Sequence, residues 1–336
     1  VFNNVLYRDN RVDTLRVEGH MRSSPLFALV LVACGTTPST DNKPAFEITS
    51  SDITLAPGQE TTQCYYFHTP NTTALAVNKW VSDLTPGSHH MIFYQTLGGT
   101  PPPDGTVDDC SNIRGGSMNV PLPVYLTQIP HQEADFPKDD GTGHPLAQVI
   151  QPNTAGFFQM HYLNTTDQTL TVHVTLTAYA LPSATTGFTH TDPFITYNAD
   201  IAIPPHAVNF VVSATCPSAT QTDLLAQFQS YTFWSMTTHS HKQTVSAVIE
   251  DGSTMLVDTE DWSHPTVTQW DKPFYQMQGG VTWTCTYTND GSNANNTITS
   301  GNSAATNEMC MGGGYYFPSA GPRGCFMSGG NCSCFL

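Results

Sequence analysis

From about Phe46 onward, short runs in which apolar and polar residues alternate recur between clusters of Pro, Gly, Asn and Asp. They include EITSSDITL, CYYFH, TALAV, MIFYQTL, GFFQMHYL and TLTVHVTLTAYA, then ADIAIP, AVNFVVSA, YTFWSMTTHSHKQTVSAVIE, TMLVD and VTWTCTYT. A two-residue period bounded by turn formers is the pattern of half-buried β-strands. In the clearest run Leu170, Val172, Val174, Leu176 and Ala178 share one face, and Thr169, Thr171, His173, Thr175 and Thr177 the other, so His173 reads as solvated. Val281, Trp283, Cys285 and Tyr287 alternate with threonines, which turns Cys285 inward. Only TDLLAQFQSY has helical spacing, through Leu224, Leu225 and Phe228 after Asp223. Residues 181–191, LPSATTGFTHT, break the alternation and read as a linker. The pattern predicts an all-β fold of two antiparallel β-sandwich domains, 46–180 and 192–326, followed by an irregular Cys- and Gly-rich tail over 327–336.

Charged residues make up 11% of the 336, and the formal net charge is -16. Eleven Lys plus Arg cannot furnish the basic face that nucleic acid requires, and the acidity is a handicap toward anionic reductants or substrates. Near the start, Arg22, an apolar run from Leu26 to Val32 and Leu31-Val32-Ala33-Cys34-Gly35 resemble a bacterial lipoprotein signal over 21–34 with Cys34 as the lipidated residue; an ordinary secretory signal is the simpler alternative. Residues 1–20 would then be an upstream segment and 35–45 a polar tether. Either signal exports the chain, to the cell envelope as a lipoprotein or to the periplasm or medium, and a membrane enters only through the anchor. Setting Cys34 aside, eight of nine Cys remain, an even number suited to disulfides in an exported protein.

Four places supply metal-ligand chemistry. His239 and His241 lie two apart on a strand, so both project from one face and can reach one ion. His89 and His90 follow a Pro-Gly turn; adjacent strand residues face opposite ways, so both serve one site only if a turn or bulge re-aims one. Gln159 and His161 share a face, an amide beside an imidazole. Met309, between Glu308 and Cys310 and ahead of three glycines, is in poor context for a core methionine. Two imidazoles with a thioether suit copper able to cycle through Cu(I) better than Zn, Ca or Mg.

Taken in order, His89-His90-Met91, His161-Tyr162, His239-Ser240-His241 and Glu308-Met309-Cys310 resemble the copper type II, ascorbate-dependent monooxygenases, the family of peptidylglycine α-hydroxylating monooxygenase and dopamine β-monooxygenase. The resemblance covers roughly residues 46–326. It implies two jelly-roll-like domains facing each other across a solvent-filled cleft, with two coppers per chain. His89, His90 and His161 match the electron-transfer copper; His239, His241 and Met309 match the catalytic copper, at which the family hydroxylates a substrate C–H bond using dioxygen and ascorbate or a similar reductant. Gln159 matches a glutamine beside the first copper. Cys64–Cys110 and Cys285–Cys310 match family disulfides, Cys216 is expected to pair with Cys325, and the pairing of Cys332 and Cys334 stays open. A family cysteine is missing where this chain has Tyr94-Gln95.

The substrate pocket departs from the peptide-amidating branch. Thr237 stands where that branch has a carboxylate-binding Arg, and Met311 and Gly313 stand where it has Asn and Tyr. A different small-molecule or peptide substrate, smaller or less charged, is the expectation. An exported copper-binding protein without turnover is the alternative function, and an exported structural sandwich with incidental histidines a third.

Overall fold

Alternating apolar residues bury one face of each strand, and pairing the strands leaves four main sheets to stack. The computed structural model describes residues 43–97, 100–110 and 120–335. The expected signal with Cys34, and nearly all of the tether, lie outside these residues. The described ones belong to one compact unit, Asp41–Leu336.

The first sheet runs Phe46–Thr49, Val174–Ala180, Leu75–Leu84, Leu146–Ile150, Thr189–His190, with His131–Asp135 also on Leu75–Leu84. The second runs Val107–Asp109, Glu60–His68, Ala155–Leu163, Ser88–Leu97, Val120–Thr127. Between them pack Trp80, Phe93, Tyr125, Phe158, Tyr162 and Leu176, all fully buried. The third sheet runs Val267–Gln269, Thr232–Ser240, Cys310–Phe317, Asp192–Asn198, Arg323–Ser328, Asn331–Phe335, and the fourth Phe210–Cys216, Val281–Tyr287, Thr244–Asp251, Thr254–Thr259. Phe194, Phe233, Ile249, Trp283 and Tyr287 form their core. Burying each such side chain stabilises the fold by roughly 1.5–3 kcal/mol. The chain is therefore an all-β protein of stacked sheets, with one helix among the described residues, Thr222–Phe228.

Among the described strands, pairing is antiparallel with two exceptions: Thr189–His190 runs parallel to Leu146–Ile150, and Asp192–Asn198 parallel to Arg323–Ser328. The first exception places a strand inside the expected linker.

Two further expectations are corrected. The long alternating run is not one strand: it breaks at His173 into Leu170–Val172, which pairs with Ile53–Leu55, and Val174–Ala180, which pairs with Phe46–Thr49 and Leu75–Leu84. The break is possible because Thr85 satisfies the backbone there, its hydroxyl accepting from the His173 N–H at 2.8 Å and donating to the His173 carbonyl at 2.9 Å. The His173 ring itself is paired with Asp52 at 2.9 Å. The tail is not irregular either. Asn331–Phe335 closes the third sheet against Arg323–Ser328, in a register that sets Cys334 opposite Cys325.

That register also decides the cysteines. Cys64–Cys110 and Cys285–Cys310 are bonded, but Cys216 bonds Cys332 and not Cys325, whose partner is Cys334. Cross-strand neighbours in the closing hairpin take Cys325, and the hairpin's other cysteine, Cys332, reaches Cys216 on the fourth sheet. These four disulfides fit maturation in an oxidising, extracellular setting.

Candidate metal centre

His90 on Ser88–Leu97 lies directly opposite His161 on Ala155–Leu163, but the next residue, Tyr162, pairs with Ser88. His89 is thus the extra residue of a β-bulge, which turns its ring to the same side as that of His90. Ring centroids are 5.1 Å apart for His89 and His90, 5.2 Å for His89 and His161, and 5.0 Å for His90 and His161. His239 sits near the end of Thr232–Ser240 and His241 just beyond it, their rings 5.4 Å apart.

The two groups are not separated by a solvent-filled cleft. His90 and His239 approach to 4.8 Å, His89 and His239 to 5.7 Å, and His161 and His241 to 6.1 Å. Five imidazoles, carried by three strands and one turn, share a single buried cluster. Aromatic contact holds the sheets together at this level: Phe136 of the first half packs 5.1 Å from Trp234 and 5.2 Å from Tyr315 of the second. Gln128 bridges the same boundary, donating through Nε2 to the Thr238 carbonyl at 2.8 Å.

Hydrogen bonds fix which nitrogen of each ring carries the proton. With its amide N–H committed to Thr238, Gln128 presents Oε1 to His239 Nδ1 at 2.7 Å, so Nδ1 is the donor and Nε2 keeps its lone pair. His241 Nδ1 donates to the Asn307 carbonyl at 3.1 Å, and His161 Nε2 donates to Glu60 Oε1 at 2.8 Å. The nitrogens left over are His239 Nε2, His241 Nε2 and His161 Nδ1, and they join His89 Nε2 and His90 Nδ1 as buried atoms without a hydrogen-bond partner. Buried polar atoms are rarely left this way, and five in one place call for a partner that accepts lone pairs. They fall into two overlapping groups whose ligand atoms lie within 4.8 Å of one another: His89 with His161 and His241, and His89 with His90 and His239. Burial, reinforced by neighbouring rings, lowers His89 to about 3 and His241 to about 4, and holds His90 and His239 well below the usual imidazole range. Neutral rings with free lone pairs are what a metal needs.

Two carboxylates support the rings from behind. Glu60 accepts from His161, from Ser303 Oγ at 2.9 Å and from the Ala304 N–H at 2.6 Å. Burial alone would raise its pKa, but these hydrogen bonds bring it down to about 2. Glu308 is fully buried and accepts from the N–H groups of His241 (3.0 Å), Gln243 (2.7 Å) and Met309 (3.3 Å) and from Thr244 Oγ1 (3.2 Å), while burial pushes it up to about 7. Met309 is further held by the Tyr287 hydroxyl, which donates to its carbonyl at 2.9 Å, and by the neighbouring Cys285–Cys310 disulfide.

Beside the cluster opens a cavity of about 1200 Å³, onto which His90, His239 and Met309 face together with Thr237, Met311 and Gly313. Gln159 also lines it, between Cys64 and Ile92 in register, with no hydrogen bond holding an imidazole among the described residues. Gln128 and Glu60 have that task, and sequence reasoning missed both. Each is more than a hundred positions from the ring it holds, and neither stands in a motif. The other surface histidines pair with their own neighbours, as His68 does with Asp104, His131 with Asp83 and His264 with Asp261.

Residues 193–334 match the model of the copper type II ascorbate-dependent monooxygenase C-terminal domain. The matched segment contains His239, His241 and Met309 and supports that family. No curated protein matches the sequence. Among solved structures, the PBSX exported protein XepA aligns with a TM-score of 0.21 at 8% identity over 81% of this chain and 86% of its own. A tail fiber protein from an E. coli phage aligns with a TM-score of 0.19 at 7% identity over 80% of this chain and 36% of its own. Likenesses this slight carry no argument.

Proposed function

We propose that this chain is a copper-dependent monooxygenase that hydroxylates a substrate C–H bond at the expense of dioxygen and an ascorbate-type one-electron reductant. The five buried, unpartnered imidazole nitrogens carry the reading, and in three of the rings, His239, His241 and His161, the proton is steered away from the cluster by Gln128, Asn307 and Glu60. The donor set fits copper: neutral imidazoles suit both of its oxidation states, and the Met309 thioether favours Cu(I). Two coppers per chain are part of the proposal: His89, His90, His161, His239 and His241 would hold them, with the Met309 thioether as a further donor and His89 common to both groups of closely spaced nitrogens. When bound, copper supplies the one-electron chemistry through which reductant and dioxygen are joined to substrate oxidation.

The protein's own residues position and protect. Glu60, Gln128 and the Asn307 carbonyl hold three rings in a fixed tautomer and orientation, which raises ligand basicity and limits rearrangement between oxidation states. Glu308 ties the turn that carries His241 to Met309, just ahead of the strand Cys310–Phe317. The cavity brings substrate to the face shared by His90, His239 and Met309, where proximity rather than acid–base chemistry does the work. Export, with a lipid anchor at Cys34, belongs to the same proposal.

The test is oxygen uptake by copper-loaded full-length protein supplied with ascorbate. Uptake above that of an equal amount of free copper, falling to background in His239→Ala, is expected. Tight copper binding with no uptake in the wild type would turn the conclusion to an exported copper-binding protein.

A further inference from the structure

The cavity beside the histidines is lined, among the described residues, by no Lys, Arg, Asp or Glu side chain. Hydrocarbon and aromatic groups such as Ile92, Leu126, Tyr94, Tyr197, Phe326 and Phe335 form much of its wall. The two carboxylates nearest the cluster are turned away and committed, Glu60 to His161, Ser303 and Ala304, and Glu308 to four donors behind Met309. Burial keeps the Tyr94 phenol neutral by pushing it up to about 12. The wall thus offers hydrogen-bonding amides and hydroxyls but no full charge.

We propose, resting on the reading above, that the substrate is an uncharged, largely apolar molecule with aromatic or branched hydrocarbon bulk. A carboxylate or an ammonium held against the wall away from the histidines would give up hydration and find no oppositely charged side chain in exchange. Anions are opposed further by the net charge of -16. Thr237 does not substitute for a cation: its hydroxyl is spent on the Thr266 carbonyl at 2.9 Å. The volume, about 1200 Å³, is above the roughly 300–1,000 Å³ of most small-molecule sites and leaves room for such bulk. Gly313 helps set that width. A Cβ there would stand 3.4 Å from the Leu126 side chain, so a bulky residue would grow into the cavity between the Cys310–Phe317 and Val120–Thr127 strands.

The experiment is competitive displacement of the neutral fluorophore N-phenyl-1-naphthylamine from full-length protein, as isolated and after copper loading. Three competitors share one skeleton: methyl 2-naphthoate, 2-naphthoate and 2-naphthylmethylammonium. The ester should displace the fluorophore at concentrations lower than either ion by about tenfold or more. Gly313→Tyr should weaken the ester by about tenfold, and Thr237→Arg should bring the carboxylate level with the ester or ahead of it. Equal competition by the three compounds in the wild type, failure of the fluorophore to bind, or no change of preference in folded Thr237→Arg would overturn the proposal. Copper uptake by the same samples is measured separately. Protein that prefers the ester but takes up no copper refutes the oxygenase and leaves this cavity assignment standing; copper uptake without preference does the reverse.

Discussion

Glu60 shows how much of the proposed metal site hangs on residues that would bind no metal. Its carboxylate fixes the His161 proton on Nε2 and also holds Ser303 and Ala304, in the loop that leads to Asn307 and Met309. Glu60→Gln should lower copper affinity by about 10–100-fold while shifting the urea midpoint little; unchanged copper affinity in a chelator competition would remove Glu60 from the account. Glu308 makes a pH prediction for the copper-free protein. Its carboxyl is raised from an ordinary 4.5 to about 7, so between those values the folded chain holds a proton that the unfolded chain has lost. Stability from this group is fully present below 4.5 and is lost as pH rises through 7. Wild type should therefore lose stability relative to Glu308→Gln between about pH 5 and pH 8, read as the difference in urea midpoints, and a widening advantage for wild type would contradict the assignment. At this scale the clustered histidines and Met309 were legible as candidate ligands, because His-x-His, His-His and Glu-Met-Cys carry their chemistry in residue type and spacing. Gln128 and Glu60 were not, because their partners are set by the fold alone.

At the scale of the element, alternation identified the strands and the inward face of Cys285, and the Pro-Gly turn raised the question that the bulge at His89 answers. Alternation could not reveal that the run through His173 serves two sheets, since the break depends on Thr85, far off in the sequence. Nor could it foresee that the tail is a strand, because glycine and cysteine give no periodic signal and the pairing with Arg323–Ser328 is tertiary. The Cys285–Cys310 bridge, separated by 25 residues, pins the strand start next to Met309. Replacing both cysteines by serine should cost about 3.5 kcal/mol of unfolding free energy by the loop-entropy relation. A loss of under about 1 kcal/mol in urea unfolding would mean that the core holds this strand without the bridge.

For the whole molecule, sequence placed the candidate ligands on sheets in two halves but had no means of measuring the space between them. The separation is set by Phe136 against Trp234 and Tyr315 and by Gln128 reaching the Thr238 carbonyl, contacts between residues about a hundred positions apart or more. They bring both sets of histidines into one cluster, with His89 common to its two groups of closely spaced nitrogens. The most direct measurement is therefore copper retained per folded chain after dialysis against a weak chelator, for wild type, Met309→Ala and His89→Ala. The account predicts two coppers in the wild type, a partial loss in Met309→Ala, and the larger loss in His89→Ala. A wild type that retains no copper, or a folded His89→Ala that retains as much as wild type, would contradict it.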